Sequence, residues 1–172
     1  IMSITLHPDG RIIHGGINIA PKPMIDTFNF TASPSSAQTP VTDWARLTAS
    51  GFLFDGAYNT GMSLSSGVFT FPTTGRYLIM WAIGIYVTNN DSGIGFNLQT
   101  CTDGSTFSSI TNIDEGDSGG HHCHLSHQHI AYITNTSLQK VRFATASMTG
   151  GNIKGGSSQS FANCTFLRLG DI

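Results

Sequence analysis

From about residue 28 to the C-terminus the chain is a succession of short runs rich in Val, Ile, Phe, Tyr and Thr. Gly, Pro, Asn and Asp interrupt them at intervals of roughly 8–12 residues, the spacing of all-β folds. No window sustains the i, i+3, i+4, i+7 spacing of an amphipathic helix, so backbone hydrogen bonds have to be made between strands. "DTFNF", "WARLTASGFLFDGA", "MSLSSGVFTFP", "SGIGFNLQTCTDG", "QKVRFATAS" and "SSQSFANCTFLRL" read as strands, with one or two strands in the second. "TASPSSAQTPVTD" and "MTGGNIKGGSSQS" read as polar loops, and "STFSSITNIDEGDSGG" as a strand followed by an acidic loop. The longest apolar run, Tyr77 to Val87, falls short of the roughly 20 residues a spanning helix needs. Its Ile, Val, Trp and Tyr content makes it the central buried strand. Many short strands around such a run predict an all-β sandwich or jelly roll.

Residues 1–27 stand apart as an N-terminal anchoring or assembly arm, and 28–172 as the head. "SITLHPDGRIIHGG" reads as two short strands about a Pro-Asp-Gly turn, and Pro21 and Pro23 keep the next stretch extended. A lone hairpin is marginal in water. The arm is therefore expected to dock on its own head, on a sister subunit or on a larger assembly.

Composition narrows the class. Charged residues are 10% of the chain, against about 25% in an average soluble domain. Hydroxyl, amide and glycine-rich surface takes their place, which suits an extracellular or virion-surface protein better than a cytosolic helical enzyme. The net charge of −2 and scattered Lys and Arg offer nothing to nucleic acid or to an anionic membrane. Cys101, Cys123 and Cys164 are too few and too widely spaced for a disulfide framework, and at most one pair could form. "IMSITLHPDGRI" has no apolar core of a signal peptide, and no membrane insertion is expected.

At "SSGVFTFPTTGRYLIMWAIGIY" the chain resembles the globular head of complement C1q and the wider tumour-necrosis-factor-like superfamily of jelly rolls. The residues that carry the likeness are Gly67, Phe69, Pro72, Gly75 and Tyr77, followed by alternating Ile79 and Trp81. Pro72 and Gly75 are read as the turn of a hairpin across which Phe69 and Tyr77 pack. "SFANCTFLRL" resembles the family's closing core strand, with Phe161, Phe166, Leu167 and Leu169 as core candidates. Upstream the chain departs from the family: its polar and aromatic positions fall on Ala57 and Met62, unless Asn59 and Leu64 take those roles. The resemblance implies a homotrimer packed through one apolar face.

"HHCHLSHQH" holds five of the seven histidines. On a strand, residues two apart share a face, so His122 can converge with His124 and His127 with His129. Imidazoles in such pairs ligate transition metals, and repetition about a threefold axis would multiply the ligands into an axial or interfacial structural site. The alternative is a wet edge strand. Asp114, Glu115 and Asp117 offer hard oxygens to calcium in a glycine-rich loop, without the spacing of an EF-hand. No catalytic residue can be named. The cupin pattern lacks its Glu after the histidines and any later His, and there is no G-x-S-x-G elbow.

These readings converge on a non-enzymatic protein of a virus particle, most simply a bacteriophage. It would be a trimeric spike that decorates or cements the capsid, or a fibre tip for host attachment, on the virion surface after assembly in the host cytoplasm. The arm would hold a capsid or tail protein and the head a host receptor or glycan; no cofactor is expected to be required, and a structural metal ion is an optional addition. The alternatives are a secreted cellular C1q-like protein that recognises glycans or proteins, and a metal-dependent jelly-roll enzyme.

Overall fold

The computed structural model describes residues 4–6, 12–14, 17–18, 24–47, 57–88, 91–117, 120–156 and 161–172. Near the N-terminus β1 (Ile4–Leu6), β2 (Ile12–His14) and β3 (Ile17–Asn18) form a separate antiparallel sheet in the order β1-β2-β3. Leu6 is paired with Ile12, as expected of a hairpin; the turn itself lies outside the described residues.

The head is a sandwich of two antiparallel sheets. Its strands are β4 (Met24–Phe30), β5 (Trp44–Arg46), β6 (Ala57–Tyr58), β7 (Ser63–Ser65), β8 (Val68–Thr70), β9 (Gly75–Val87), β10 (Asp91–Cys101), β11 (Phe107–Asp117), β12 (His121–Ile133), β13 (Lys140–Ala146), β14 (Gly151–Lys154) and β15 (Asn163–Gly170). One sheet runs β12-β9-β15-β4-β5, with β14 paired to the far end of β9 and β6 to β4. The other runs β11-β10-β13-β8-β7. No element among the described residues is helical, so none is a helix that could cross a membrane.

Period-two alternation builds the core. Along β9, Tyr77, Ile79, Trp81, Ile83, Ile85 and Val87 all turn inward and are buried. Opposite them stand Phe69 of β8, Phe96 and Leu98 of β10 and Phe143 of β13. The aromatic rings meet in offset and edge-on contacts across the gap, Phe28–Phe69 at 5.0 Å, Phe69–Phe166 at 5.0 Å and Trp81–Phe143 at 5.7 Å. Such pairs add to the area they bury.

Several expectations are corrected here. Pro72 and Gly75 do not close a hairpin. β8 and β9 lie in different sheets, and residues 71–74 carry the chain from one to the other. Phe69 and Tyr77 are therefore both buried, but the ring against Tyr77 is Phe71, at 4.7 Å. Gly67 makes the β7–β8 turn at φ 77°, where a Cβ would stand 2.4 Å from the Val41 carbonyl oxygen. The acidic "loop" is the far end of β11, and the polar "loop" 148–160 contains β14, held by Ile153↔Ile85 pairing with Ile153 buried. In the closing strand Cys164 and Phe166 face inward, whereas Phe161 precedes the strand and is 40% exposed and Leu169 is 47% exposed. The first head strand begins at Met24 rather than residue 28: Met24 and Asp26 are both buried in the sandwich.

Asp26 explains that boundary. It occupies an inward position in the alternation Met24, Asp26, Phe28, Phe30. Its Oδ1 accepts from Arg46 Nε at 2.9 Å, and its Oδ2 accepts from Arg46 Nη2 at 2.9 Å and from the Met62 amide at 2.7 Å. The fork-on-carboxylate geometry supplies the compensation a buried charge requires. The same hydrogen bond raises the Arg46 pKa further above its usual range. Met62 thus fills its divergent position with a buried side chain and a backbone donor.

Candidate functional site

The histidine-rich segment is β12, the edge strand of the larger sheet, paired along its length with β9. An edge strand is free to be polar where a central one is not. The pleat sorts its histidines. His122 and His124 lie opposite Tyr86 and Gly84 on the face turned away from the core. His127 and His129 lie opposite Trp81 and Ile79 on the core side, and the His127 ring meets Trp81 edge-on at 5.2 Å. His129 is held below its ordinary pKa, first by desolvation and then by the neighbouring His127. Each HxH pair shares a face, and the two pairs are on opposite faces. His121, opposite Val87, is also on the core side, six residues along the strand from His127, and among the described residues no group of three or more His, Cys, Asp or Glu comes together as a metal site.

Asp114 sits within β11 opposite Gly95 and accepts a hydrogen bond from Asn112 Nδ2 at 3.1 Å. The side chains of Glu115 and Asp117 lie outside the described residues. Cys101, Cys123 and Cys164 form no disulfide with one another. Burial raises the Cys164 pKa far above normal, which leaves it a core residue without nucleophilic character.

The outer face of the larger sheet has two zones. Towards the Gly75 end, Ile130, Leu78, Leu167 and Ile25 form a single cross-strand row over β12, β9, β15 and β4, because Ile130↔Leu78, Leu167↔Leu78 and Leu167↔Ile25 are register partners. Ile130 is 49% and the neighbouring Tyr132 58% exposed. Towards the Val87 end the same face turns polar and basic. There His122, His124 and Lys154 surround a depression of about 540 Å³ with Ser33, Gly84, Ile85, Gly155 and Phe161. Sequence reading found the two histidines but missed Lys154, Phe161 and Gly84. The available signal was Gly84 itself, a glycine inside an apolar strand, which often marks a close approach of other groups.

No family model and no curated protein matches the chain in sequence. Solved structures do match. Murine APRIL aligns with 86% of this chain and 100% of its own at 9% identity, TM-score 0.61. Eiger TNF from S. frugiperda aligns over 89% of this chain and 96% of its own at 15% identity, TM-score 0.59. The globular domain of zebrafish complement 1qA aligns over 89% and 100% at 15% identity, TM-score 0.57. At these identities the likeness is one of fold: the head is a jelly-roll sandwich of the C1q/TNF type.

Proposed function

We propose that the chain is a non-enzymatic, trimeric surface protein whose head displays a recognition face and whose N-terminal sheet joins it to a larger assembly, the particle of a virus. The observation that carries this reading is the outward apolar row Ile130–Leu78–Leu167–Ile25. A contiguous apolar patch on a sheet face marks a contact surface, and packing three copies about an axis removes it from water with closed symmetry. The C1q/TNF-like resemblance supports the same oligomer. A chain with 10% charged residues fits display on the surface of an assembly. The β1-β2-β3 sheet is built from strands of only 3, 3 and 2 residues and suits an anchoring role.

Leu78→Glu tests the reading. A carboxylate in the centre of the row is expected to convert the trimer to monomers while the far-ultraviolet circular dichroism stays β-like. A variant that remains trimeric would contradict this placement of the interface. Antibody against the head should label the outside of purified virus particles; labelling confined to a secreted cellular fraction would favour the cellular recognition protein instead.

A further inference from the structure

We infer that the depression at the Val87 end of the outer sheet face binds a carboxylate-bearing sugar unit. The site exists because of one residue. Gly84 is buried in the centre of β9, and a Cβ there would stand 3.2 Å from His124 Cε1 and 3.2 Å from the Phe161 carbonyl oxygen. Any larger side chain would occupy the floor. That same carbonyl accepts the Gly84 amide at 2.8 Å, which pins the residue 161 backbone to the rim.

The walls are chemically one-sided. Lys154 Nζ lies 4.8 Å from the Tyr86 ring centroid, and the His122 ring stacks on Tyr86 at 4.4 Å and 27°. Tyr86 therefore holds an ammonium and an imidazole at the mouth through its π face, and no carboxylate neutralises them among the described lining residues. His124 adds a second imidazole. The facing wall is fixed by Ser33, whose Oγ accepts the Gly155 amide at 3.0 Å and donates to the Gly155 carbonyl at 3.3 Å. In a chain of net charge −2 this is a local concentration of donors and positive charge, the complement of an anion.

A bare anion would leave the Phe161 ring unused. Phe161 is 40% exposed and lines the depression together with Lys154, His122 and His124, so the ligand that fits presents an anion and an apolar face together. A pyranose carrying a carboxylate does so: its C–H face packs on the ring by dispersion, its carboxylate meets Lys154 and the histidines, and its hydroxyls reach polar walls. The volume is within the range of small-molecule sites, about 300–1,000 Å³.

The test is titration of the full chain with D-glucuronate at fixed neutral pH and low salt, followed by NMR shifts and calorimetry. D-glucose and acetate, the two halves of the ligand's chemistry, and inorganic phosphate serve as comparators. Saturable binding of glucuronate is expected, with glucose, which lacks the carboxylate, and acetate, which lacks the ring, each weaker by about tenfold or more. Lys154→Gln and Phe161→Ala should each weaken glucuronate binding by about tenfold, with unchanged oligomer mass, and neither side chain is needed for the core. Gly84→Val should abolish binding by filling the floor; if it fails to fold, the two rim variants still decide. The inference is overturned if glucuronate shows no saturable binding, if glucose or acetate binds as tightly as glucuronate, if phosphate does so and reveals a general anion patch, or if the shifted resonances exclude His122, His124 and Lys154. Binding is read per chain, so an oligomer other than a trimer leaves this result standing. Lost binding with an intact trimer overturns only the pocket.

Discussion

Asp26 is the residue on which the most local structure depends. Its carboxylate is buried, and it gathers the Arg46 guanidinium and the Met62 amide onto the first head strand. Asp26→Ala leaves that amide and an arginine without their acceptor. Because the Arg46 side chain is 38% exposed and can turn to water, the loss should be about 2–3 kcal/mol rather than the upper end for a broken buried pair. Urea denaturation measures it, and a loss below about 1 kcal/mol would show that the site is tolerant. The residue was visible in the alternation of "MIDTFNF", as an acid at a position whose neighbours are core, but its partner was not. Arg46 is twenty residues away and reaches Asp26 only because β5 pairs with β4.

His129 sets a second expectation at this scale, with a definite sign. Its pKa in the fold lies below the ordinary 6.5, so the folded state binds its proton less readily than the unfolded chain does. Above 6.5 neither state carries the proton and there is no penalty. As pH falls below 6.5 the unfolded chain protonates first, and stability is lost until the folded-state pKa is also passed. The fall in melting temperature between about pH 7.5 and pH 5 should therefore be smaller in His129→Gln than in the parent. An equal or larger fall in the variant would contradict the assignment.

At the scale of the element, alternation was readable and connection was not. Tyr77, Ile79 and Trp81 on β9, and Phe166 on β15, are inward because the strand period places them so. The path from β8 to β9 was not readable. Residues 71–74, with Pro72 among them and Gly75 directly after, suit a hairpin equally well; pairing with β13 and the packing of Phe69 against Phe28, Phe143 and Phe166 fix β8 in the opposite sheet. Phe161 and Leu169 misled because both are large and apolar and flank a genuine core strand. Phe69→Ala should cost about 3–5 kcal/mol through transfer and cavity terms, whereas Phe161→Ala should change stability by less than about 1 kcal/mol. Similar losses for both would return Phe161 to the core. β12 shows what a histidine cluster means on an edge strand: the pleat divides it into a core-side pair against Trp81 and Ile79 and an outer pair against Tyr86 and Gly84.

For the whole molecule, fold class followed from turn spacing and the Tyr77–Val87 run, and the jelly-roll arrangement of two sheets agrees with it. The basic depression was legible only in part. His122 and His124 were noticed as metal ligands, but Lys154 and Phe161 come from strands and loops that meet β12 solely through their shared contact with β9. The apolar row was invisible for the same reason, since Ile25, Leu78, Ile130 and Leu167 are spread over most of the chain and align only through register. That row is the basis of the proposed assembly. The most direct measurement of the central claim is the mass of the full chain by sedimentation equilibrium over a range of concentrations. The account predicts a single species at three times the 18.3 kDa chain mass; a species that stays at 18.3 kDa at micromolar concentration would contradict it.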